Sequence, residues 1–239
     1  MQRECVEKKL MLNWMKKILV FIGLFFTIVS CVDIVDDISI KSDGTGTFKY
    51  SVNLSASKVK VNSILALDSL DGKKVPSIPE IKEKINHYKE IFSQKEGISN
   101  VKVESDFTNF IFKFQCDFAS VSHLQKALKD LVLEESKNKN FKDLETNWLV
   151  WEMNKLTRSV PSMTTDFTSK LKKEDAEALK KGNYMSITRF DKIVDKTENP
   201  TALISANKQA VMIKSTPYAL IQNLKVLENT IYLTENKKP

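Results

Sequence analysis

Phe110-Ile-Phe-Lys-Phe-Gln-Cys-Asp-Phe118 places Phe110, Phe112, Phe114, Cys116 and Phe118 at every second position. Successive side chains of a strand point to opposite faces, so a period of two means one apolar face and one wet face. A helix would scatter the same five residues around its circumference. A chain with this stretch must therefore build a sheet and cover one side of it. Val101-Lys-Val103 stands just before it as a hairpin partner. Ile38-Ser-Ile-Lys41 and Phe48 to Leu54 alternate in the same way around Asp43-Gly44-Thr45-Gly46. Asp-Gly between alternating runs is a hairpin signal. One Asp without a spaced set of oxygen ligands does not make a calcium loop, and Gly44 interrupts any Asp-Thr-Gly, so the turn is the reading kept.

Helical spacing fills the gaps. Ser55 to Leu70 is amphipathic through Val59, Ile64, Leu67 and Leu70. Asp71 to Pro76 reads as a loop. Ser77-Ile-Pro79-Glu80 reads as a capping box, in which the N-cap hydroxyl and the N3 carboxylate each satisfy a backbone donor. The helix it opens carries Ile81, Ile85, Tyr88 and Phe92 on one stripe and is expected to stop at Gly97. Val121, Leu124, Leu128 and Leu131 repeat at helical spacing to about Ser136. Residues 38–136 thus read as hairpin–helix–hairpin–helix, and the fold class as α+β: an antiparallel sheet built from hairpins, with helices packed on one face.

Lys137-Asn-Lys-Asn140 is a polar break. Beyond it, 141–239 reads as mainly β with one charged helix, Leu171 to Lys181, stopped by Gly182. Trp148 to Trp151 and Leu156 to Val160 are expected to pair as strands. Tyr184 to Val194, Leu203-Ile204 and Ala210 to Ile213 follow, with a turn at Asn207-Lys208. Pro217 opens a short helix, and Ile231-Tyr-Leu233 reads as a last edge strand.

At the other end, Lys16 and Lys17 precede thirteen uncharged residues, Ile18 to Ser30, and then Cys31. A bilayer span needs about 20 apolar residues, whereas a secretory h-region needs roughly 7–15. Ile28-Val29-Ser30-Cys31 resembles the lipobox of bacterial lipoproteins. The resemblance covers Met15 to Cys31 and no more. It implies cleavage between Ser30 and Cys31, a diacylglycerol on the Cys31 sulfur, and acylation of the new amino terminus by a chain such as palmitate. Residues 1–14 are polar and out of place before a signal, so translation is expected to start at Met15. Residues 31–37, with Asp33, Asp36 and Asp37, read as the lipidated Cys and an acidic tether. In several diderm bacteria an Asp after the lipidated Cys retains a lipoprotein in the inner membrane. Val32 occupies that position here, so the resemblance implies the outer membrane.

The formal net charge is +7 for the 239 residues. Residues 1–30 carry five Lys/Arg and two Asp/Glu, which leaves +4 on 31–239, dispersed and without the footprint of a nucleic-acid binder. With Cys31 lipidated, Cys116 stands alone in the mature chain, so no intramolecular disulfide is available and the core must hold the fold. Its place among phenylalanines makes it a buried thiol and not a nucleophile.

The two histidines, His87 and His123, are 36 residues apart in a chain with six glycines. No metal site, triad or phosphate loop emerges. Glu134-Glu135 and Glu174-Asp175 fall on helix surfaces. The expectation is therefore a non-enzymatic, cofactor-free envelope lipoprotein, binding or structural. Its partners would be the bilayer, through acyl chains on Cys31, and an envelope protein or glycan. Two alternatives stay open. One is an anchored enzyme acting on envelope polymers through carboxylates brought together by the fold. The other is a carbohydrate-binding module using Trp148 or Trp151, although one core Trp and one flanking Trp is the commoner arrangement.

Overall fold

The computed structural model describes residues 32–135, 146–160 and 173–234; Cys31 and the hydrophobic run before it lie outside them. The first half contains β1 (Asp33–Ile40), β2 (Gly46–Asn53), α1 (Lys58–Leu65), β3 (Ser69–Leu70), β4 (Lys73–Lys74) and α2 (Ile78–Ser93). It continues with β5 (Ile98–Asp106), β6 (Ile111–Phe118) and α3 (Val121–Glu135). After it come β7 (Leu149–Glu152), β8 (Lys155–Arg158), α4 (Lys173–Lys181), β9 (Asn183–Phe190) and β10 (Val194–Thr197). Then follow β11 (Leu203–Ile204), β12 (Ala210–Ser215), α5 (Pro217–Gln222) and β13 (Asn229–Leu233).

Seven strands form one sheet in the order β11-β12-β9-β1-β2-β6-β5, and four form a second, β10-β13-β8-β7. All pairs are antiparallel except β1 with β9. Rows run across the large sheet: Thr188–Ile38–Phe48–Cys116 and Phe190–Ile40–Gly46–Phe118. These rows are buried. Against them pack Phe92 of α2, Val121 and Leu124 of α3, and Leu149, Leu156, Val194, Ile231 and Leu233 of the small sheet. The opposite face shows Asp37, Lys49, Lys113 and Gln115 around a shallow polar depression. The class is thus α+β, a largely antiparallel sheet with its cover on one face.

The sequence-level signals that came from local chemistry appear as drawn. Gly44, at φ +82°, makes the β1–β2 turn. Ser77 accepts from the Glu80 amide, and Glu80 accepts from the Ser77 amide at 2.7 Å. Lys74 and these amide contacts hold the Glu80 carboxyl down at about 2.

Several boundaries move. The acidic tether is a strand: β1 starts at Asp33, two residues after Cys31, and Asp36 points into the core because basic and hydroxyl partners await it there. The helix expected over Ser55–Leu70 is confined to Lys58–Leu65, and Leu70 joins a two-residue hairpin. α2 ends at Ser93, before Gly97, whose φ of +71° turns the chain into β5. β6 begins at Ile111 and not Phe110, because Phe110 sits in the turn at φ +54°. Tyr184–Val194 is two strands, β9 and the start of β10. Ile231-Tyr-Leu233 is not an edge: β13 lies between β10 and β8, which is why its alternate residues are buried on the core side.

Gly46 faces Phe118 across the β2–β6 ladder. A Cβ there would sit 2.0 Å from the Ser39 carbonyl oxygen and 2.5 Å from Phe118 Cζ. Gly46→Ala is expected to cost about 1–3 kcal/mol, the range for overpacking a filled core. The shift in the urea unfolding midpoint measures it.

Candidate functional site

The covered rows end before the sheet does. Toward the start of β1, the next rows read Asp36–Tyr50–Phe114–Val103 and Ile34–Val52–Phe112–Ser105. Asp36 is buried, but the apolar and aromatic members Ile34, Val52, Val103, Phe112 and Phe114 are only half-buried and Tyr50 is exposed. α2 runs along β5, but of its apolar stripe only Phe92 is buried, edge-on to Phe114 at 4.8 Å. Ile85 and Tyr88 stand off the sheet. Between them and Tyr50, Val52, Val103, Phe112 and Phe114 lies a groove of about 400 Å³, with Lys89 and Lys113 on its lining. That volume falls in the range of small-molecule sites, as does the predominance of apolar and aromatic walls.

Tyr50 also lines a second, smaller depression of about 190 Å³, which Asp36, Leu128, Trp148, Arg158 and Tyr184 share. Its floor is a buried polar cluster. Arg158, from β8 in the small sheet, places Nη1 3.1 Å from Asp36 Oδ1 and Nη2 3.3 Å from Oδ2. Ser186 donates its hydroxyl to Asp36 Oδ1 at 2.8 Å and accepts from Arg158 at 2.5 Å, while the Tyr184 hydroxyl donates to Asp36 Oδ2. Asp36 is 4% exposed. Burial works against the charge of Arg158, but Asp36 more than offsets it, and the guanidinium pKa rises above its ordinary value. Burial first, and then the Asp36 charge, also raise the pKa of Tyr184. The four side chains are directed at one another, so the quartet reads as a structural clasp bordering the groove.

The sequence-derived residues fall as follows. Trp148 is half-buried and lines the smaller depression; its amide and that of Leu149 donate to Gln125 Oε1 at 2.9 and 2.8 Å. Trp151 stacks on Phe190 at 6.1 Å and 17°, and its indole edge closes on Gly44. One of its faces is therefore committed to the core. The two tryptophans do not form a shared platform. Cys31 and Ser30 lie outside the described residues. His87 Nε2 lies 3.4 Å from Glu134, and His123 Nδ1 lies 2.7 Å from the Ser120 hydroxyl; neither histidine is part of the groove lining. Among the described residues no cluster of three His, Cys, Asp or Glu gathers to hold a metal, and no helix is long and apolar enough to cross a membrane.

The groove lining contains no carboxylate, histidine or cysteine. Every carboxylate with a displaced pKa among the described residues is lowered, by hydrogen bonds from neighbours such as Thr45 to Asp43 or Asn100 to Asp117. General acids need the opposite displacement. The signal for the clasp was present in the sequence as Asp36 on the apolar phase of Ile34-x-Asp36-x-Ile38-x-Ile40. The groove had no such signal, since it depends on how far α2 stands from the sheet.

No protein-family model and no curated protein matches this chain. Among solved structures, the NMR structure of the folded domain of the Mycobacterium tuberculosis LppM protein aligns over 86% of this chain and 91% of that one. The identity is 13% and the TM-score 0.39, a likeness at which neither fold nor role transfers.

Two outcomes test this description. Arg158→Met leaves Asp36 charged and buried without its partner and is expected to cost about 3–5 kcal/mol. Arg158→Met with Asp36→Leu should lose less than the single change; urea unfolding of both decides it. Cys116 is 0% exposed, and burial, aided by the Asp117 charge, pushes its thiol up to about 12. N-ethylmaleimide is therefore expected to leave it unmodified in the native protein at neutral pH and to label it fully in denaturant, as intact mass reports.

Proposed function

We propose that this chain is a non-enzymatic, lipid-anchored protein of the cell envelope whose folded part binds a ligand in the groove beneath α2. The observation that carries the binding reading is the groove itself: a core-type apolar surface left open over Tyr50, Val52, Phe112 and Phe114, with no carboxylate, histidine or cysteine in its lining. Soluble proteins seldom leave such a surface uncovered unless something docks there. The anchor rests on the lipobox-like Ile28 to Cys31 after an h-region too short to span. More than one acyl chain is what stable anchoring requires. Val32 in place of an Asp after Cys31 favours the outer membrane as the destination.

The test is Cys31→Ala in a host that processes lipoproteins. The wild type is expected to have the mass of acylated 31–239 and to partition with the outer-membrane fraction, while the variant accumulates as unprocessed precursor. Equal masses with an intact amino terminus would reject the anchor.

A further inference from the structure

We infer that the occupant of the groove is the acyl chain of a membrane amphiphile with an anionic head group, an inference that rests on the anchored-binding reading above. Three observations converge on it. The first is the lining: Val52, Ile85, Tyr88, Phe112 and Phe114 offer hydrocarbon and ring faces, and beyond Ser105 and the hydroxyls of Tyr50 and Tyr88 there is no neutral polar group to satisfy a polar ligand body. A ligand that buries itself there must be apolar along its length.

The second is the distance from the anchor. Only Val32 separates Cys31 from β1. Asp33 is in register with Asn53 of β2, Asn53 with Ile111 of β6, and Ile111 with Asp106 of β5. A lipid on Cys31 therefore holds this edge of the sheet at the bilayer. Val52 and Phe112 lie one residue in from it, about 3.3 Å along the strand. The groove begins where hydrocarbon is nearest.

The third is the charge and exposure of the same end. β2 leads from Asn53 into α1 and the β3–β4 hairpin, where Val59, Leu67 and Leu70 are 66%, 47% and 38% exposed. Lys58, Lys60, Lys73 and Lys74 accompany them, Lys60 ion-paired with Asp175 and Lys74 with Glu80, beside Asp68 and Asp71. Apolar side chains interleaved with lysines suit an interface with anionic lipid. Lys89 on the groove supplies a cation for the head group of the bound molecule.

The experiment uses the mature, full-length protein in phosphatidylcholine nanodiscs with a diazirine-bearing palmitic acid as photoactivatable probe. Adducts are expected on peptides containing Val52, Ile85, Tyr88 or Phe112. Ile85→Arg should lower their yield about tenfold by placing a charge in an apolar site, and Ile85→Trp should do the same by filling it. Thermal melts of both variants report that they remain folded. Lys89→Glu should weaken labelling by the fatty acid and leave labelling by a diazirine-bearing monoacylglycerol unchanged. Adducts confined to membrane-adjacent positions such as Val59, or insensitive to both Ile85 variants, would overturn the inference. So would labelling displaced by a protein partner seated in the groove. Intact mass is read on the same sample: a mass without acyl chains rejects the anchor, while the adduct map alone decides the groove.

Discussion

The ion pair between Asp36 and Arg158 sets the geometry on which the rest depends. It joins the two sheets at one point, β1 to β8, through a carboxylate that is almost fully buried. A buried charge pair gains little net stability over an apolar pair of the same shape, but a lone buried charge is costly. Such a pair thus penalises any arrangement in which the sheets slide and the partners separate. With Tyr184 and Ser186 completing the coordination, the small sheet is held over β1 and β9. Phe48 and Tyr50 of β2 line a depression with its Leu149 and Arg158, whereas none of its residues lines the groove over Val52 and Phe112.

That restriction creates the groove. The end of the large sheet nearest Phe118 is closed by α3, Phe92 and the small sheet, and there Leu124 and Cys116 are 0% exposed. At the other end Tyr50, Val52, Phe112 and Phe114 line a groove whose facing wall is Ile85 and Tyr88 of α2. Local stability and local vacancy thus come from the same fold, one end packed as a core and the other leaving core chemistry open. With Cys31 lipidated as proposed, the one-residue spacer before β1 would turn the open end toward the lipid.

Much of the fold was legible in the sequence where it depended on neighbours in the chain. The alternation from Phe112 to Phe118, the Asp43-Gly44 turn and the Ser77–Glu80 capping box are local devices, and each appears in place. Long-range pairing was not legible. β1 and β9 lie side by side although 150 residues separate Asp33 from Asn183. Nothing in the Asn183–Phe190 alternation announces a parallel partner. The reading of Asp33, Asp36 and Asp37 as a tether failed for the same reason: an acid followed by alternating aliphatics looks solvated until its arginine, 122 residues away, is known. The capacity of the site followed this division. Trp148 was picked out by residue type and does line a depression. Tyr50, Val52 and Phe112 looked like ordinary strand residues, because the helix that leaves them open is placed by tertiary packing alone.

The most direct measurement of the central claim is what the protein carries when it leaves its own membrane. Wild type and Ile85→Arg, each purified from native envelopes with no lipid added and exchanged into the same detergent, would be extracted with organic solvent and their lipids quantified by mass spectrometry. The account expects an anionic acyl amphiphile enriched in the wild type over the bulk membrane and depleted in the variant, with both proteins equally folded and equally acylated at Cys31. Identical lipid profiles in the two, matching the bulk membrane, would contradict it.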